Sequence, residues 1–393
     1  MSISSFEFDD TILSQGAAIS RRLHQLRTET FPPDAQKTLR KFTMGEVAHY
    51  LGMSQSNLKR LHIEKKGPEP EQASGGRRFY SIQQVQQLRE FLDQDKAESA
   101  RRYLPYRRRG EKLQVVAVVN FKGGSGKTTT AAHLSQHLAL TGHRVLSVDL
   151  DPQASLTSLF GFQPEIDDNP SFYNALRYDD ERMPLADVIR PTNFPTLDIV
   201  PANLDLQEFE YETPLAMQSG EGKRFYTRLG NSLAEIDDRY DVCVIDCPPQ
   251  LGYLTLSALS ASTSVLITVH PAMLDLMSMS QFLIMLGNLS RTVKAAGASF
   301  NIDWLRYLVT RFEPGDVPQT QMLGFMQSML PREILSTPMV KSTAISDAGL
   351  TKQTIYEIEK GRFNRDTYDR AIECLDAVNF EIQGLIHKTW GRI

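Results

Sequence analysis

Cysteine is scarce: Cys243, Cys247 and Cys374 are the only three in 393 residues. An odd, sparse set makes no disulfide framework, which excludes a stapled secreted fold and predicts a reducing compartment. Long apolar runs are missing too, and no stretch reaches the roughly 18 residues that a membrane-spanning helix needs. The first ten residues hold three acids and no apolar run, so they do not read as a secretory signal. Internal repeats and low-complexity tracts are absent. These absences predict a folded cytoplasmic protein, and its length predicts two or three structural units.

Net charge is small, −4, but uneven. Residues 1–113 sum to +6 and the remainder to −10. A basic N-terminal third on an acidic body points to a polyanion met by the N-terminal part.

The most informative stretch is Val115 to Thr130. The β-branched run Val115–Val119 leads into a glycine-rich turn, and a helical pattern follows at once. Gly123, Gly124 and Gly126 let the backbone turn tightly and aim successive N–H groups into one concavity, and the next helix adds its positive end. Lys127 is placed to reach β- and γ-phosphates, and the Thr128 hydroxyl to complete Mg²⁺ coordination. Lys122, Ser125 and Thr129 fill out the cradle. Phe121 stands where the usual P-loop has its first glycine, and Lys122 adds a second lysine.

Carboxylates follow the next strands. Alternation puts Asp149 and Asp151 of Asp149-Leu150-Asp151-Pro152-Gln153 on one side, at the carboxyl end of the sheet where ligands bind. One can serve the metal's water shell and the other the attacking water. Asp246 ends the apolar run from Val242, in position to bind Mg²⁺ through water. Cys243 and Cys247 in that strand read as small core residues. Apolar runs alternating with helical patterns from Gln114 onward predict an α/β fold with a doubly wound, mostly parallel sheet.

Ahead of it, residues 1–40 read as a helical arm stopped by Phe31-Pro32-Pro33 and suited to dimerisation. Residues 41–95 read as a smaller helical domain. Thr43 and Glu46 form a capping box, Gly52 makes a turn, and Ser54 caps a second helix. That helix presents Gln55, Ser56, Asn57, Lys59 and Arg60 to DNA, and Arg77 and Arg78 sit on a β-wing. Residues 96–113 form a basic linker, solvated or touching phosphate, before an ATPase domain over 114–393.

The K-G-G-S-G-K-T-T loop, V-D-L-D-P-Q, V-I-D-C-P-P and the block Pro338–Leu350 resemble ParA-type partition ATPases. The segment 41–95 resembles the winged helix-turn-helix of MerR-type regulators. Together they look most like the long, plasmid-borne RepA type of RepABC cassettes. The resemblance implies a P-loop NTPase with a deviant Walker A motif, using ATP and Mg²⁺. It implies that Lys122 reaches a partner's phosphates in a sandwich homodimer, and that Asp151 positions water while Asp149 lies near the metal. It further implies nonspecific DNA binding with Lys341 on phosphates, a nucleoid-associated cytoplasmic location, and hydrolysis stimulated by a ParB/RepB-like centromere-binding partner. Repression of its own operon through operator DNA is implied as well. A nucleotide-responsive transcription regulator and a MinD-like membrane-surface ATPase are the alternatives. Glu373, Asp376 and Glu381 in the last helix weigh against the membrane.

Overall fold

The computed structural model describes residues 8–30, 37–94, 102–164, 169–362 and 364–392. The Phe31-Pro32-Pro33 stop and the first part of the basic linker lie outside the described residues. The chain forms two compact units, residues 1–38 and 39–393. The first holds helix α1 (Phe8–Thr30), on which Phe8, Ile12, Leu13 and Ile19 are exposed.

The second unit begins with β1 (Phe42–Thr43), α2 (Met44–Tyr50), α3 (Gln55–Ile63), β2 (Glu71–Gln72), β3 (Arg78–Tyr80) and α4 (Ile82–Asp93). Both expected helix starts have their chemical reason in view. The Glu46 amide donates to the Thr43 hydroxyl and the Thr43 amide to the Glu46 carboxylate, while the Asn57 amide donates to the Ser54 hydroxyl. The three short strands form one antiparallel sheet in the order β1-β3-β2.

Next come β4 (Gln114–Val119), α5 (Lys127–Leu140), β5 (Val145–Asp149), α6 (Ser155–Leu159), α7 (Phe172–Leu176), α8 (Leu185–Val188), β6 (Arg190–Pro191) and β7 (Leu197–Val200). They are followed by α9 (Glu208–Ser219), α10 (Arg228–Ala234), β8 (Val242–Asp246), α11 (Tyr253–Ala261) and β9 (Ser264–Val269). The chain closes with α12 (Met273–Ala295), β10 (Trp304–Val309), α13 (Val317–Met329), α14 (Thr343–Leu350) and α15 (Arg365–Thr389). Seven strands form one sheet, ordered β10-β9-β4-β8-β5-β7-β6 and parallel except for the edge strand β6. Every residue of β4, β5, β8 and β9 is buried, as strands covered on both faces require.

The apolar core of the small N-terminal sheet and its helices runs without a break into one face of the large sheet. Phe42, Leu58, Tyr80 and Leu88 share a cluster with Leu134 and Leu138 of α5 and with Leu375, Val378 and Ile382 of α15. The apolar stripe of α15 is therefore buried. Among the described residues, no helix is long and apolar enough to cross a membrane.

Candidate functional site

The site is built at the carboxyl ends of β4, β5, β8 and β10. Gly124 and Gly126 have φ of +74° and +87°, which an L side chain rarely adopts. A Cβ on Gly126 would meet Thr310 only at an ordinary contact of 3.4 Å, so it is the backbone conformation that demands glycine at this position. Neighbouring strands hold the loop: the Lys122 amide donates to Asn120 Oδ1 (3.0 Å), the Asn120 side chain to the Thr268 carbonyl, and the Thr310 hydroxyl to the Ser125 carbonyl (2.7 Å). Phe121, the odd residue of the motif, stacks on Phe282 of α12 with ring centres 5.5 Å apart. It anchors the loop's entry where the usual P-loop has glycine.

Lys127 begins α5 and is buried in the cleft floor. Desolvation lowers its pKa, and the nearby Asp246, Cys247 and Asp151 oppose that shift. Lys122 instead reaches sideways, with its Nζ 2.7 Å from Asp275 of α12.

The carboxylates fall into two kinds. Asp149 and Asp246 are register partners on adjacent strands and both are buried. Burial pushes both carboxyls above the usual range, and a neighbouring like charge adds to it, Asp151 beside Asp149 and Asp149 beside Asp246. Asp149 spends its oxygens on its own turn. One accepts from the Thr157 amide (2.8 Å) and hydroxyl (2.7 Å), and the other from the Asp151 amide (3.2 Å). Neither oxygen of Asp246 has a hydrogen-bond partner of normal geometry, although the Thr128 hydroxyl lies close enough to favour its charged form. A buried carboxylate without a donor is costly unless a cation or its water shell faces it, and Mg²⁺ beside Thr128 fits that need. Among the described residues no three His, Cys, Asp or Glu side chains gather around an ion. Mg²⁺ commonly takes one or two protein ligands and completes its shell with phosphate oxygens and water.

Asp151 lines the cleft, where its carboxylate accepts from the Gln153 amide at 3.0 Å. The cleft of about 610 Å³ is walled by residues 123–129, Asp151, Gln153, Thr310, Arg311 and residues 339–342. That volume suits a nucleotide-sized ligand. Arg311 at its rim donates to the Gly124 carbonyl (3.2 Å). Lys341 lines the rim as well and pairs with Glu313 at 2.9 Å. Sequence reasoning did not find the Thr310, Arg311 and Met339 wall, because contacts made after β10 leave no local pattern. It also missed Glu210, which caps α11 by accepting from the Tyr253 and Leu254 amides, both at 2.9 Å.

The residues expected to meet DNA sit elsewhere. Gln55, Ser56, Asn57, Lys59 and Arg60 are exposed along α3, while Leu58 between them is buried. Arg77 is exposed and Arg78 half-buried after the turn that joins β2 to β3. Much of the described basic linker faces protein. Arg107 donates to the Tyr240 carbonyl (2.9 Å) and pairs with Asp237, and Arg392 clamps the Pro105 and Tyr106 carbonyls. Cys243 and Cys247 are buried and unpaired in the β8 region, as core residues.

The AAA domain family matches residues 113–297. A Sinorhizobium fredii protein bearing the name replication protein A is 62% identical over 98% of this chain and 95% of its own. The chromosome partitioning protein ParA of Myxococcus xanthus is 38% identical over 43% of this chain and 56% of its own. Among solved structures, a Mycobacterium smegmatis cobyrinic acid a,c-diamide synthase with bound ATP analogue and magnesium is 27% identical, with a TM-score of 0.51. That match covers 66% of this chain and 95% of the synthase. With the site's loop, buried lysine and strand-end carboxylates laid out in the same fold, this chain belongs to the ParA-type partition ATPases, on their RepA-like branch.

Proposed function

We propose that the chain binds and hydrolyses ATP in this cleft and uses the nucleotide state to time its hold on DNA in partition. The observation that carries the reading is the unpartnered, buried Asp246 facing Thr128 beside a glycine-rich anion cradle. Backbone N–H groups of residues 123–129 and Lys127 would hold the phosphates. Mg²⁺, held by Thr128 and by Asp246 through water, would neutralise charge on the β- and γ-phosphates. Asp149 then acts as a positioning residue that fixes the Asp151 turn, and Asp151 orients the attacking water. Lys122 would leave Asp275 for a second copy's phosphates in a sandwich homodimer.

Exposed Gln55, Ser56, Asn57, Lys59, Arg60 and Arg77 would read operator DNA for autorepression, with Arg78 beside them, and Lys341 would add phosphate contact to a nonspecific DNA surface. A ParB/RepB-like centromere-binding partner would stimulate hydrolysis and so release the DNA-bound dimer from the nucleoid. The test is ATP turnover and nonspecific DNA binding for wild type, Lys122→Ala and Asp151→Ala. Lys122→Ala is expected to lose both activities, and Asp151→Ala to lose turnover while still binding DNA with ATP. Wild-type behaviour of Lys122→Ala in both assays would sink the sandwich-dimer mechanism.

A further inference from the structure

Helix α15 touches the segment that walls the cleft, the helix α5 that follows the glycine-rich loop, and helix α2 of the helix-turn-helix segment. Near the cleft, Cys374 donates to the Pro338 carbonyl and accepts from the Val340 amide, each at 3.3 Å. About two turns further along the same face, Glu381 accepts from the Ser336 amide (2.8 Å) and hydroxyl (2.7 Å). These bonds pin the segment that carries Met339 and Val340, two residues of the cleft wall. Between them stands Asp376, whose side chain is only 9% exposed. Its carboxylate lies 3.2 Å from His49 Nε2 of α2 and 3.4 Å from His137 Nδ1 of α5, and accepts from the Tyr356 hydroxyl at 2.8 Å. Phe380 meets His137 and His49 edge-on, with ring centres 4.4 and 5.3 Å away. Asn379 adds a bond to the His133 carbonyl of α5.

We propose that α15 transmits the state of the nucleotide cleft to the helix-turn-helix segment, with Asp376 clasping His49 of α2 and His137 of α5. The proposal rests on the reading of the cleft as a nucleotide site. α5 starts at the phosphate cradle, so a ligand there acts directly on the helix that carries His137. The wall segment acts on α15 through Cys374 and Glu381. Both routes converge on one carboxylate, and His49 is the point where it grips the helix preceding α3. A ligand that changes the spacing of α5 and α15 changes that grip, and the coupling is reciprocal.

The experiment is hydrogen–deuterium exchange of the full chain with and without saturating Mg²⁺ and AMPPNP, for wild type, His49→Gln and Asp376→Asn. In wild type the ligand is expected to change exchange across residues 46–62 by at least about threefold, reflecting a shift between two states. In His49→Gln that response is expected to fall below about 1.5-fold while AMPPNP affinity stays within about twofold, so binding persists and coupling is lost. His49 is half-exposed, so this variant keeps the fold if the more buried Asp376→Asn does not. A full response in His49→Gln would overturn the proposal, as would an unresponsive wild type with AMPPNP bound. Failure of AMPPNP to bind wild type would overturn the nucleotide reading itself, and the proposal with it.

Discussion

At the residue scale, the phosphate loop was legible because its demands are local. Glycines at positive φ, a lysine and a hydroxyl residue fall within eight positions, and chain order alone places them together. The roles of the carboxylates were only half legible. Spacing brought Asp149, Asp151 and Asp246 to one end of the sheet, but not the Thr157 hydrogen bonds that commit Asp149 to its turn. That difference yields a prediction. The folded protein holds the Asp246 carboxyl above its usual range, first by burial and then by Asp149. An acid whose folded pKa is raised subtracts stability once pH passes its unfolded value, near 4. Asp246→Asn should therefore raise the stability of the metal-free protein by about 1–2 kcal/mol at neutral pH, by removing a buried carboxyl whose ionisation the fold opposes. It should also abolish the stabilisation that Mg²⁺ with AMPPNP gives wild type. Urea midpoints in EDTA and in Mg²⁺ with AMPPNP check both halves; a lower midpoint in EDTA would make Asp246 a structural partner instead.

At the element scale, the apolar runs expected to form a mostly parallel sheet from Gln114 onward do form one, because continuous apolar runs suit strands buried on both faces. The edge strand β6 escaped notice, since it is two residues long and contains Pro191. Helix α12 begins at Met273 with no cap signal in the sequence, since Ala272 ahead of it makes no side-chain hydrogen bond. Helix α10 is regular from Arg228, and a 3₁₀ stretch from Glu221 to Thr227 leads into it. The element-scale prediction concerns α2, α5 and α15. His49 faces Glu46 and Tyr50 of its own helix and Asp376 and Phe380 of α15, and Asp376 also lies beside His137 of α5. Its hydrogen bond with Asp376 raises the imidazole pKa, and Asp376 in turn is held down at about 2, where the close imidazoles of His137 and His49 outweigh its burial. A histidine with a raised folded pKa adds stability that is complete below the unfolded value, about 6.5, and is lost as pH rises through the folded one. Because His49 is half-exposed, that contribution is screened to about 0.5–1 kcal/mol. The denaturation midpoint of wild type should exceed that of His49→Gln near pH 6 and converge with it near pH 8.5. A gap that does not narrow with pH would remove the charge from the clasp.

At the scale of the whole molecule, the union of the N-terminal segment with the ATPase body was the least legible feature. Its partners lie far apart in sequence. Arg89 of α4 is fully buried and donates to the carbonyls of Tyr50 and of Leu140, where α5 ends. That guanidinium caps the helix whose other end forms the phosphate cradle. Arg40 likewise donates to the Tyr356 carbonyl. No composition or periodicity announces such contacts, whereas the shared core they seal makes residues 39–393 one unit. The same scale governs association with a second copy. Lys122 is held within its own chain by Asp275, with side chains 43% and 12% exposed. A pair this accessible is worth about 0.2–1 kcal/mol, so Lys122 leaves it at little cost when a more concentrated negative charge is offered. On the sandwich-dimer reading, Asp275→Ala should strengthen dimerisation with AMPPNP by no more than about fivefold and leave the nucleotide-free protein's association unchanged. Sedimentation across a concentration series, with and without AMPPNP, measures this directly. If Asp275→Ala instead abolishes the dimer, Asp275 belongs to the interface, and the cis pair with Lys122 is a resting place on the way to contacts both residues make across it.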